Sequence, residues 1–595
     1  MKIVRQNIAG RRINRSLSAF LLGACAIASP VWSQMSSDAR SDASPWGIAS
    51  GAEWSKEYPR FNPMLKEAGV RWLRLFSEWQ TLQPAPGKWD FSTTDALVAN
   101  AKENNIRISG IFCFFAPWSS ATGDTRTGPV KNMKFWRDFV EGCVSRYKGD
   151  IKYWEVWNEF NGSFYNSRNG QDAKAKEYAD LVSNAYDVAK KIDPDVMIGL
   201  SCANFDLGFF DRAIKAGAAG KFDFVAVHPY ENLGMVMEGN EASYLSLAGS
   251  IRKMLADNKQ PTDMPLWITE IGVQSTIKPN ATKDKAQADA LVKTFVLSIA
   301  QGFSMVQWFE ARGPAYGQGT DHGLIRDDWS ERPALQSLKT MTTQLGAEPK
   351  YVGWLDLNGA YGFVFETPAG DVLSTWAPIG KTVDVTFTGD VNVITQSNES
   401  RALVKGQSES LTNSPVFVSS LPADLSKLAR ENAAKPFPWG GGYADAEQVI
   451  CRLAATNIEQ GITQVKLETT DVVHLLDQSY RKSKVQQGGE GFYAYFRVDP
   501  EFATFGNKDL EITLVAKRAD AAKPASLNLT YESMTGYKGV ENGRWNIPAG
   551  TEWSEHTWKV SDANFVGGWG WNFRTDAGGS ANDFVIKEVR VKRGK

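Results

Sequence analysis

The chain has 595 residues, of which 43% are hydrophobic and 22% charged, and its formal net charge is −1. That length exceeds what one hydrophobic core organises, so two to four domains are expected. The composition excludes a disordered or fibrous chain, and the charge leaves no electrostatic footprint for nucleic acid.

In chain order, residues 1–34 read as an export signal: Lys2, Arg5, Arg11, Arg12 and Arg15 precede an apolar run over 17–28, and a cut after Ser33 suits the small-residue rule. Leu22-Gly-Ala-Cys25 gives a second reading, a lipoprotein box with a lipid anchor at Cys25, and Arg11-Arg12 resembles a weak twin-arginine signal. The expected location is periplasmic or extracellular, with an outer-membrane lipoprotein as the variant. No later stretch reaches the ~20 apolar residues of a membrane span.

From about 45 to 345, short apolar strands alternate with helical patterns, the signature of an α/β fold with a parallel sheet. Strands are expected over 46–49, 72–75, 107–112, 152–156, 197–200, 224–227, 266–269 and 305–308. Ser92-Thr-Thr-Asp95 reads as a capping box after the second strand. Eight alternations in this span fit a closed (β/α)8 TIM barrel, and the Gly-rich phosphate loop of an open doubly wound sheet is missing. Residues 346–423 read as a small β domain, 424–442 as a linker after a short helix, and 443–595 as a β-sandwich or jelly roll.

The four cysteines beyond the signal, Cys113, Cys143, Cys202 and Cys451, form no Cys-x-x-Cys pair. With four histidines in all, a His-rich metal site is nearly excluded, and no Gly-x-Ser-x-Gly elbow occurs. Neither metal nor cofactor is expected. The chemistry falls instead to two glutamates. Glu159 ends Tyr153-Trp-Glu-Val-Trp-Asn158-Glu159 and Glu270 ends Leu266-Trp-Ile-Thr-Glu270, each closing a bulky strand. On the fourth and seventh strands they face each other across a barrel mouth, where such barrels keep their catalytic groups. Two opposed carboxylates are the minimal equipment for glycosidic bond hydrolysis.

These two segments resemble the signatures of clan A glycoside hydrolases, nearest to family 39 and its relatives. Arg74, the stretch Gln83-Pro-Ala-Pro-Gly87-Lys-Trp-Asp90, Val227-His228-Pro-Tyr230 and Trp308 support it in order. Two departures are Phe114-Phe-Ala-Pro-Trp118, where some members carry a His, and Phe160, where family 39 commonly has Pro. The resemblance implies a retaining mechanism with Glu159 as acid/base and Glu270 as nucleophile. It further implies that Asn158 binds the sugar 2-hydroxyl, Arg74 and Tyr230 hold the nucleophile, and Trp308 forms the floor. His228, Trp118 and Trp54 are further substrate-binding candidates. Glu78, Glu310 and Arg312 also lie near strand ends, and Arg312 is the candidate partner of an anionic substrate.

The C-terminal region carries Trp545, Trp553, Trp558, Trp569 and Trp571. Gly567-Gly-Trp-Gly-Trp571 would set two rings on one face of a strand, either as core or as the sugar-stacking platform of a carbohydrate-binding module. The expected partner is a poly- or oligosaccharide. A non-catalytic carbohydrate-binding protein on a degenerate barrel is the alternative, although both glutamates survive; a transglycosylase would use the same residues.

Overall fold

The computed structural model describes residues 43–51, 55–167, 170–313, 320–506 and 508–594. The expected export signal, Cys25 and Trp54 lie outside these residues. Eight parallel strands close into a barrel in sequence order: β1 (Trp46–Ala49), β2 (Trp72–Glu78), β3 (Arg107–Cys113), β4 (Tyr153–Val156), β5 (Met197–Ala203), β6 (Phe224–His228), β7 (Leu266–Ile271) and β8 (Met305–Phe309).

Strand alternation sorts the barrel interior from the face beneath the helices. Trp72, Tyr153, Phe224, Trp267 and Met305 cluster near the N-terminal ends of their strands and plug the bottom of the barrel. The Trp267 ring lies 4.7 Å from that of Tyr153 and 4.6 Å from that of Phe224. Such rings need a bare neighbour: a Cβ at Gly199 would lie 2.3 Å from the Phe224 ring. Above this apolar plug the interior turns polar, beginning with Gln307 donating to Ser109 at 3.0 Å. Residues of opposite parity pack outward, as where Trp154 stacks on Phe112 at 4.5 Å.

The helix Ser92–Glu103 begins where expected but without the capping box. Asp90 accepts from both the amide and the hydroxyl of Ser92, at 3.0 and 2.6 Å. The ionised acceptor two residues upstream thus uses the group that the box would have required. The four cysteines beyond the expected signal are buried and unbridged.

The helix Ala281–Ala300 is buried around most of its circumference because a small antiparallel β domain covers the side turned away from the barrel. There, buried Lys293 bonds Glu241 at 2.9 Å and Asn413 at 2.6 Å. Helix Ala423–Asn432 closes this domain through Asn432, which donates to the Trp354 carbonyl at 3.1 Å. The following segment, expected as linker, is seated on the sheet: Trp439 packs against Phe363 with centroids 5.2 Å apart.

The C-terminal region is an antiparallel β-sandwich with its own core, which includes Leu514, Trp545, Trp558 and Phe573. It joins the barrel in one compact unit. Phe505 enters the core cluster of the barrel, Ser250 meets Thr504 at 2.9 Å, and Arg212 donates to the Met534 carbonyl. The strand expected at 567–571 is instead a turn, because Gly567 and Gly570 adopt φ of 71° and 79°. Period-2 alternation fails in left-handed backbone, so Trp571 is buried whereas Trp569 is 55% exposed.

Candidate active site

Two irregularities at strand ends aim the carboxylates. After β4 the chain turns through Trp157 and Glu159, at φ of 66° and 50°. Left-handed backbone at a non-glycine residue costs roughly 1–2 kcal/mol, here offset by burial of Trp157 among Phe115, Trp136 and Tyr165. At β7 the register against β8 gains one residue between Ile268 and Ile271. This bulge lets the consecutive residues Thr269 and Glu270 both bond groups in the barrel mouth.

Arg74, fully buried on β2, organises what these turns deliver. It donates to Glu155 at 2.7 and 3.2 Å, to Glu270 Oε1 at 2.5 Å and to Asn158 Oδ1 at 3.1 Å. Because guanidinium can only donate, the Asn158 oxygen faces it and the amide NH2 is left for the cleft. Burial alone would lower the Arg74 pKa, but Glu155 and Glu270 outweigh it and raise it. Tyr230 donates to Glu270 Oε2 at 3.3 Å, so the predicted nucleophile has two donors.

Glu155 was absent from the sequence-derived site. Its signal was a lone acid inside an apolar strand at an inward position, two residues after the inward-facing Tyr153. It also starts a relay of hydrogen bonds. Thr269 Oγ1 donates to Glu155 Oε2 at 3.1 Å and lies 3.1 Å from His228 Nε2, while His228 Nδ1 lies 3.0 Å from Glu159 Oε1. Since the Thr269 proton goes to Glu155, His228 Nε2 carries a proton and donates. A neutral His228 then has a bare Nδ1, and Glu159 must supply the proton between them. Imidazolium–carboxylate and imidazole–carboxylic acid are therefore two forms of one single-proton pair.

Charge sets the two carboxylates apart. Burial pushes Glu159 up, but the hydrogen bond and charge of protonated His228, with Arg74 behind, hold it below its ordinary value. Burial also pushes Glu270 up and here prevails, with repulsion from Glu159 added, over His228 and Arg74. In a His228→Asn variant, burial is left as the main influence on Glu159, so its carboxyl should titrate higher than in the parent. Carboxyl-carbon NMR titration measures this, and an unmoved Glu159 signal would refute the pairing.

Tyr230, Glu270, Asn158, Phe309, Glu78 and Arg126 are among the residues lining a cleft of about 520 Å³ at the mouth. Glu159 keeps 18% of its side chain exposed. Trp308 does not reach the cleft: it is fully buried in the outward core, and the inward parity of Met305 and Gln307 passes to Phe309. Trp118 lies edge-on to Trp79 and Phe135 and donates to the Gln83 carbonyl at 2.9 Å, packed behind the mouth rather than lining it. Arg312 is committed to Glu57 at 2.7 Å and Asp327 at 2.8 Å. Among the described residues, Arg126 is a cation that lines the cleft, lying over the stacked rings of Phe114 and Phe164 at 4.7 and 4.6 Å.

Among the described residues, Glu159, His228 and Glu270 are the donor set compact enough for a metal ion, with donor atoms all within 4.8 Å of one another. The Arg74 guanidinium is already bonded to Glu270 there, and its charge repels a second cation beside that carboxylate.

A sequence profile of Glycosyl hydrolase family 10 matches residues 76–208, the span that includes Glu155, Asn158 and Glu159. That match and the eight-stranded parallel barrel agree with the resemblance to clan A glycoside hydrolases. The chain is 25% identical over 209 residues to endo-1,4-beta-xylanase 2 of Arabidopsis thaliana, covering 33% of this chain and 18% of that protein. It is 27% identical over 321 residues to endo-1,4-beta-xylanase C of Paenibacillus barcinonensis, covering 47% and 27%. The chain thus spans less than a third of either relative. A family 39 glycoside hydrolase from Bacteroides cellulosilyticus WH2 shares the fold, with a TM-score of 0.51 and 18% identity over 63% of this chain and 81% of that one. The clan-level resemblance therefore has support from both sides, from a family 10 profile in sequence and a family 39 barrel in shape.

Proposed function

We propose that the protein is an exported, retaining glycoside hydrolase that cleaves β-linked poly- or oligosaccharide by double displacement. The supporting observation is the closeness of the pair: His228 Nδ1 approaches one oxygen of each, Glu159 Oε1 at 3.0 Å and Glu270 Oε2 at 3.7 Å, which favours the shorter of two known separations. Retaining enzymes hold the two groups about 5–5.5 Å apart, whereas inverting ones leave about 6.5–9.5 Å for a water molecule. In the first step Glu270 attacks the anomeric carbon as the glycosidic bond breaks, and the proton of the Glu159–His228 pair passes through Glu159 to the leaving oxygen. In the second, Glu159 takes a proton from water as the oxygen of that water displaces Glu270. Arg74 and Tyr230 stabilise the carboxylate before attack and after release, and the Asn158 amide is placed for the sugar hydroxyl.

Xylan is the first substrate to test, because the relatives named above are endo-1,4-beta-xylanases. A polysaccharide panel followed by proton NMR should show release of the β-anomer first from a β-linked substrate. First release of the α-anomer would remove Glu270 as the nucleophile, and binding without turnover across the panel would favour a carbohydrate-binding protein on this barrel.

A further inference from the structure

A turn of the C-terminal sandwich packs on the helix that follows β6, beside the barrel mouth. Gly567 and Gly568 donate their amides to buried Glu532, both at 2.8 Å, which fixes the start of the turn. Its body rests on the helix Tyr230–Met237, the helix whose first residue holds Glu270. Cβ atoms built on the glycines show the closeness: at Gly570 one would lie 3.9 Å from Glu231 Cβ, and at Gly567 one would lie 3.3 Å from Met235 Cε. Arg497 ties the seam, donating to the Gly570 carbonyl at 3.0 Å and approaching Glu238 at 3.8 Å. Glu231 is close enough to the catalytic acid for the charge of Glu159 to help raise its pKa, after burial, to about 7.

Trp569 projects from this turn. One face of its ring stacks on Tyr537, with centroids 4.4 Å apart and planes 13° from parallel. Its amide donates to the Tyr537 hydroxyl at 3.0 Å, and that hydroxyl donates to the Trp571 carbonyl at 2.6 Å. The ring is thus held from behind while remaining 55% exposed. A large aromatic ring presented to water on a braced turn is poor core but a ready flat surface for an apolar ring face.

We propose that Trp569 is a sugar-stacking subsite continuous with the barrel cleft, which holds a pyranose ring of a glycan chain leaving the catalytic centre. This rests on the glycosidase reading and makes the C-terminal domain part of the substrate path rather than a detached anchor. The ligand is a chain long enough to pass from Glu159 and Glu270 to the far side of Glu231. Short substrates would not reach the ring.

The test compares the wild type with Trp569→Ala and Trp569→Phe in the full-length protein. Binding is read by retardation in gels containing xylan, mixed-linkage β-glucan or galactomannan. Catalysis is read as the ratio of kcat/KM on the retarding polymer to that on an aryl β-glycoside. Loss of one stacked ring should cost the alanine variant about tenfold in this ratio and in retardation, mostly through KM, with Phe restoring most of it and melting temperatures matching. A ratio and retardation within about twofold of wild type in the alanine variant, or a wild type retarded by none of the polymers, would overturn the subsite. A wild type that is retarded but hydrolyses nothing would instead sink the glycosidase reading, and loss of retardation in the alanine variant would then still support the subsite.

Discussion

Glu270→Gln should lower turnover by about 10⁴-fold or more, because the amide occupies the same place but cannot form the glycosyl ester. Geometry is preserved: the Gln carbonyl oxygen can still accept from Arg74, and its NH2 can donate to the Tyr230 hydroxyl oxygen, so folding should hold. Glu159→Gln should separate from it by substrate. An aryl glycoside whose leaving group needs no proton should still form the glycosyl-enzyme, giving a burst followed by slow turnover, whereas an alkyl or sugar leaving group should lose about 10²–10⁴-fold. Rapid-mixing kinetics with both leaving groups tests the assignment. A burst in the Glu270 variant and none in the Glu159 variant would exchange their roles.

Arg74→Met should be the most damaging change outside the catalytic pair. The guanidinium is fully buried and answers Glu155 and Glu270 together. Removing one partner of a buried ion pair costs about 3–5 kcal/mol, since the remaining charge stays desolvated, and the thermal midpoint should fall accordingly. The pH profile should move as well. Burial already holds Glu270 above its ordinary value, with Arg74 pulling against it. The nucleophile acts ionised, so activity is present above its pKa and lost as pH falls through it. Without Arg74 the acid limb of kcat/KM should therefore lie at higher pH than in the parent. A limb that moves to lower pH or stays in place would show that Arg74 does not hold the nucleophile ionised.

The sequence carried the barrel because strand-forming runs are local: bulky apolar residues such as those of Leu266-Trp-Ile-Thr need only their own spacing to be read. The motif run ending in Glu159 was legible for the same reason, as were Arg74 and Tyr230 by resemblance. Parity was the weaker signal. Trp308 was the expected floor by resemblance, yet one residue decides which side of a barrel wall a ring occupies, and it is Phe309 that lines the cleft. Glu155 could have been found by the same parity count from Tyr153.

What determined the chemistry of this protein from sequence alone was the identity and order of its strand-end residues, fixed by local propensity and alternation. The rest was decided by tertiary structure, because it depends on groups distant in the chain and on backbone that no propensity encodes. The bulge in β7 brings Thr269 and Glu270 into the same network. The Thr269 proton sets the tautomer of His228, and with it the proton of Glu159. The left-handed glycines at 567 and 570 turn a supposed strand into a braced loop, so that Trp569 faces solvent beside the helix that begins at Tyr230.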